Sequence, residues 1–118
     1  MEIPLPELID RMSILKLKIE SFNNPEVKKE YEAYDEAVKE FEDKGIQIKQ
    51  EWFDELYLYN KEFWDNVIAL KEAEEKNLGL AEMGKIYIRQ RIANKKRVAV
   101  KNKITAETGI GFKDIKVN

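Results

Sequence analysis

The breaks in this chain are few, and they lie far apart. Prolines stand at positions 4, 6 and 25, and glycines at 45, 79, 84, 109 and 111 of 118 residues. Long stretches without such punctuation suit a few long helices rather than many short strands. The apolar spacing agrees. Leu8, Met12, Leu15, Ile19 and Phe22 recur at intervals of 4, 3, 4 and 3 and form one stripe of a helix predicted over 7–22. Pro4 and Pro6 make residues 1–5 extended, and Pro6 suits a first helical turn with Glu7 at its positive end. Ile14 and Leu17 lie on the opposite side, with Asp10 in register with them. A helix apolar on two sides is sandwiched between other helices or lies at a dimer interface.

Asn24 is a natural N-cap for a second helix over 25–44, with Pro25 at its first position. Val27, Tyr31, Tyr34, Val38 and Phe41 give it a single narrow seam, the pattern of a peripheral helix or a coiled-coil arm. Gly45 stops it. A third helix over 50–76 carries the stripe Phe53, Leu56, Asn60, Phe63, Val67 and Leu70, which places Asn60 in a core register. The short turn at Asn77-Leu78-Gly79 returns a fourth helix, over 80–107, antiparallel to the third. Residues 108–118 form a tail, in which Phe112, Ile115 and Val117 are candidate anchors or part of a short extended segment. The expected architecture is all-α. It is a single domain over 1–118, an elongated antiparallel bundle of three to four helices with a long C-terminal helical hairpin.

Composition narrows the chemistry. Hydrophobic residues make up 43% of the chain, too many for disorder. There is no cysteine and no histidine, which excludes disulfides, thiolate nucleophiles, Cys/His zinc sites and histidine general bases. The Glu-x-x-His pairs of di-iron bundles are excluded with them. No metal and no cofactor is expected. No apolar window approaches the roughly 18 residues of a membrane span, and no apolar signal core follows Met1, so a cytoplasmic protein is expected.

Net charge is only −2, but the charges are segregated. Residues 1–82 hold 11 basic and 21 acidic side chains, and residues 83–118 hold 10 basic and 2 acidic. From Met83 to Ala106 there are eight basic residues and no acid. Such a helix either neutralises the acidic body or presents a basic face to a partner. At 100° per residue, Ile86, Ala93, Val100 and Ile104 share its core side, while Ile88, Ile92 and Ala99 lie nearly opposite. The second apolar contact this implies points to a homodimer, with a different protein partner as an alternative.

Gln90, Asn94, Arg97 and Lys101 form a stripe at the edge of the core face. One reading is structural: Arg97 and Lys101 pair with carboxylates of the acidic helices, and Asn94 bonds Asn60 or a backbone group. The other is an anion pocket, with Arg97 supplying bidentate geometry and Lys101 a point charge. Asp10, set among apolar neighbours, needs a cationic or amide partner, for which Arg97 and Lys101 are the candidates. Trp64, at helical spacing, reads first as core and second as a ligand platform. The candidate binding residues are therefore Asp10, Asn60, Trp64, Asn94, Arg97 and Lys101. Lys85, Arg89, Lys96 and Lys103 lie further round, as a solvated face pairing with the third helix or as a phosphate-backbone strip. The acidic body and a pI near 5.4 argue against nucleic acid.

Glu7-Leu8-Ile9-Asp10-Arg11-Met12-Ser13-Ile14-Leu15 with Lys18 resembles the opening of an uncharacterised family of short bacterial and phage helical proteins, described only as a domain of unknown function. The resemblance continues at Asn60-Lys61-Glu62-Phe63-Trp64 and at Asn94, Arg97 and Lys101 before Ile104. It implies a shared helical fold and a shared polar cluster. The helix over 25–44 and the residues after Gly109 match least, and Lys71 interrupts the acid-rich run after the tryptophan. Some relatives accompany surface-polysaccharide genes, which the resemblance extends to a sugar-related role. The Ile9-Asp10 to Ile14-Leu15 run is also similar to the first helix of helical chorismate mutases, without the arginine expected before it or an Arg-Glu pair on the second helix.

The expected function is that of a non-catalytic structural or interaction module acting as an oligomer. The alternatives are a small-anion or enzymatic site on the bundle, and nucleic-acid binding through the basic helix.

Overall fold

A computed structural model describes residues 3–109. Four helices follow one another: α1 (Leu5–Ser21), α2 (Pro25–Asp43), α3 (Gln50–Glu75) and α4 (Leu80–Thr108). No strand occurs among the described residues. The fold is an all-α bundle, elongated, with principal extents of 52 × 41 × 21 Å. No helix is long and apolar enough to cross a membrane among the described residues. The tail anchors Phe112, Ile115 and Val117 lie outside them.

The helix ends follow local chemistry. Asn24 caps α2 by accepting the Glu26 N–H at 2.9 Å, with Pro25 leading the helix. At the other end Gly45 adopts φ 91°, and Ile46 N–H returns to the Phe41 carbonyl at 3.2 Å. α3 ends the same way with Asn77 in place of glycine: φ is 55°, and Leu78 N–H reaches the Ala73 carbonyl at 2.9 Å. This closure satisfies carbonyls that a helix end leaves without partners, and asparagine tolerates the left-handed conformation better than most residues. α1 starts at Leu5 rather than Glu7, because proline is accepted throughout a first turn and Pro6 falls inside it. It ends at Ser21, one residue early. Phe22 is its extended cap and is 57% exposed, not the last rung of a buried stripe.

α3 and α4 form the long hairpin. α1 packs against both of its helices and also carries α2, which makes it the centre of the fold. The main core lies at the open end of the hairpin, where Leu5, Ile9, Trp52, Leu56, Val100 and Ile104 meet. A smaller cluster of Leu70, Ala73 and Ile86 closes the turn end. The four residues expected on the core side of α4, Ile86, Ala93, Val100 and Ile104, are all buried. Trp52 is 1% exposed and anchors the main core, although the expected stripe of α3 began one residue later at Phe53. α2 is peripheral: it fully buries Ala37, which lies outside the expected seam, while the seam residues Val27, Tyr31, Tyr34, Val38 and Phe41 are half-buried.

α1 is 17 residues long, and α3 and α4 are 26 and 29. At 1.5 Å per residue, α1 spans about 25 Å against about 40 Å for the hairpin. The inner face of the hairpin beyond α1 is therefore uncovered. Val67, placed in the core stripe by its spacing, is 45% exposed for this reason. Leu56→Ala should cost about 2–5 kcal/mol as a core cavity. Val67→Ala should cost less than about 1 kcal/mol, as an unburied position. Urea unfolding of the two variants side by side checks the difference.

Candidate functional site

The polar residues of α1, α3 and α4 meet between the two apolar clusters. Asp10 is 3% exposed. A carboxylate removed from water needs compensation, and it comes from two directions. Asn60 Nδ2 of α3 donates to Asp10 Oδ1 at 2.9 Å and to Ser13 Oγ at 2.8 Å. Ser13 in turn donates to the Asp10 carbonyl at 2.6 Å, one turn back along α1. From α4, Arg97 Nε approaches Asp10 Oδ1 at 3.4 Å and Lys101 Nζ approaches Asp10 Oδ2 at 3.9 Å. Lys101 also pairs closely with Glu7, one helical turn before Asp10. Glu7, Asp10, Arg97 and Lys101 thus form a charge-balanced set of two anions and two cations.

Of the six candidate residues, four come together here: Asp10, Asn60, Arg97 and Lys101. The cations pair with α1, not with the more acidic α2. Trp64 stands to one side, with its ring centroid 6.3 Å from that of Phe22 in a tilted contact. Asn94 is half-buried and does not bond Asn60, whose two N–H groups are already taken; the Asn94 side chain makes no hydrogen bond among the described residues. It lines a shallow pocket with Phe63, Tyr87, Ile88, Gln90 and Arg91. Ser13 and Glu7 were not among the candidates. Their signal was there in the spacing, since each lies three residues from Asp10 and therefore on its side of the helix.

Arg97 is the unusual member. Its Nε is buried, and although it lies near Asp10 it makes no hydrogen bond there. Among the described residues none of its donors is in a hydrogen bond, although a guanidinium carries five. The side chain is 23% exposed and opens onto a groove of about 570 Å³ lined also by Asn60, Phe63, Trp64, Val67 and Lys71.

The outer cations of α4 are largely occupied. Lys103 donates to Glu55 at 3.0 Å, which raises the lysine above its ordinary pKa. Lys85 pairs with Glu82, Arg89 reaches Asn66, and Lys96 sits over the Tyr59 ring at 5.6 Å. Lys49 bonds Glu107 at 2.6 Å, tying the start of α3 to the end of α4. The bond holds Glu107 below the usual carboxylate range and Lys49 above the usual amine range. No group of three acidic side chains that could hold a metal ion occurs among the described residues. No family model, curated protein or solved structure matches this chain.

The bond from Asn60 to Asp10 is buried, so Asn60→Leu should destabilise by about 1–3 kcal/mol through loss of that donor. Thermal and urea unfolding read it directly. A second expectation concerns pH. The Tyr57 hydroxyl donates to Glu20, which raises the phenol above its ordinary value of 10.0. A raised folded-state value means that the contact contributes below pH 10 and is lost as pH climbs through the folded value. Phenolate absorbance should show a late-titrating tyrosine that moves back toward 10 in Glu20→Gln.

Proposed function

We propose that the chain is a non-catalytic helical interaction module of the cytoplasm that works as a homodimer. The observation that carries this reading is the apolar strip left on the outward side of α4. Tyr87, Ile88 and Ile92 are 54%, 52% and 46% exposed. Contiguous exposed apolar side chains on a soluble bundle mark a surface for association. The charges support a second copy as the partner. Arg91 and Lys95 flank the strip and form no ion pair among the described residues. The same holds for Glu32, Glu36, Glu40 and Asp43 of α2, which packs on α1 rather than on α4. Opposite charges that do not meet within one copy can meet between two. Catalysis is disfavoured because Asp10, Asn60 and Lys101 are engaged with one another or with their neighbours. Nucleic-acid binding is disfavoured because most cations of α4 already have partners.

Light scattering is expected to give twice the chain mass of 13.9 kDa, falling toward the monomer as salt screens the charges. A clean monomer at low salt sinks the reading. A second reading, a small-anion site, rests on the unused donors of Arg97. The double variant Arg97→Ala/Lys101→Ala separates the two. The structural role predicts a lowered melting temperature, and the anion-site role predicts near-native stability with loss of any stabilisation by phosphate.

A further inference from the structure

The groove beyond α1 has a composition that its surroundings do not share. Ile14 and Leu17 of α1 and Phe63, Trp64, Val67 and Ile68 of α3 give it apolar walls. Among the described residues its charged lining groups are Arg97 and Lys71, and no carboxylate lines it, in a chain with 23 acidic residues. Phe22 closes one end, where the chain leaves α1 and its ring leans on Trp64. The volume of about 570 Å³ is that of a small-molecule site, within the usual range of roughly 300–1,000 Å³. It is too small for a docked helix of several turns. From Asn60 to Lys71 the groove follows α3 for eleven residues, about 16 Å.

We propose that this groove binds an amphipathic organic anion, a single alkyl chain ending in a carboxylate. The alkyl chain lies along Phe63, Val67 and Ile68, where it removes exposed apolar surface from water. The carboxylate takes the terminal N–H groups of Arg97, which no protein group uses among the described residues. A guanidinium matches a carboxylate with two parallel hydrogen bonds, and a partly buried one does so with little water to displace. Glu7 and Asp10 already balance Arg97 and Lys101. The incoming negative charge therefore relies on those free donors and on Lys71, which forms no ion pair among the described residues. Inorganic anions lack the alkyl chain and so lose the larger part of the interaction. The inference rests on the groove and on Arg97, and not on self-association.

The test is calorimetric titration of the full chain with three probes: decanoate, decyltrimethylammonium and acetate. Decanoate should saturate a single site well below its micellar range. Decyltrimethylammonium, with the same tail and the opposite charge, should bind about tenfold more weakly or worse, and acetate should not bind. Val67→Glu places a carboxylate in the groove at a half-exposed position, and should abolish decanoate binding without lowering the melting temperature. Arg97→Gln should remove the preference for the anion over the cation. Equal binding of the two alkyl probes, no saturable decanoate binding, or unchanged affinity in Val67→Glu overturns the proposal. A monomer that binds decanoate upholds this inference and overturns the homodimer; a dimer that binds none does the reverse.

Discussion

One buried carboxylate sets the terms for this fold. Asp10 lies on the central helix, and its compensation comes from groups on two other helices. Asn60 supplies a hydrogen bond, held in place by its second bond to Ser13, and Arg97 and Lys101 supply charge. Breaking such a set by removing one member is costlier than never having built it, because the remaining charge stays out of water. The set also acts as a register device. Sliding α1 by one turn along the hairpin would move Asp10 away from Asn60 and Arg97 together, and Glu7 away from Lys101. The apolar contacts alone would tolerate such a slip better, since leucine and isoleucine recur at the same interval.

Much of this was legible in the sequence because it is periodic. The four helices, their caps at Asn24, Gly45 and Gly109, and the core face of α4 follow from 3.6-residue spacing and from local backbone preference. Asp10 announced its need for partners by standing among apolar residues, and α4 offered only two cations on the edge of its core face. What was not legible depends on how far one helix reaches over another. Val67 has a core register, yet it is half-exposed because α1 ends too soon to cover it. Trp52 sits at the edge of its stripe by spacing, yet it fills the main core, because Leu5 and Ile9 approach from α1 at that level. Asn94 shares a face with Arg97 but lies past the end of the polar set. No property of a single helix reveals these relations between helix lengths.

The segregation of charge also resolves differently from a simple neutralisation of one half by the other. α4 is neutralised by α1 and α3, through Glu7, Asp10 and Glu55. α2, the most acidic helix, takes little part and keeps most of its carboxylates in solvent. Most cations of the basic helix thus have partners within the bundle, Arg91 and Lys95 form no ion pair among the described residues, and Arg97 keeps donors open to the groove.

The central place of α1 has a consequence for the order in which the molecule can assemble. The α3–α4 hairpin joins neighbours in the chain and closes a short loop, whereas Asp10 and Arg97 are 87 residues apart. Contacts between distant residues form late, because the loop they close must be ordered first. On the ribosome, α1 emerges first and α4 last. Until α4 is complete, the nascent chain carries a helix with apolar residues on two sides and a carboxylate whose cations have not yet been made. A truncation before Arg97 would leave it permanently in that condition, with exposed apolar surface of the kind that promotes aggregation.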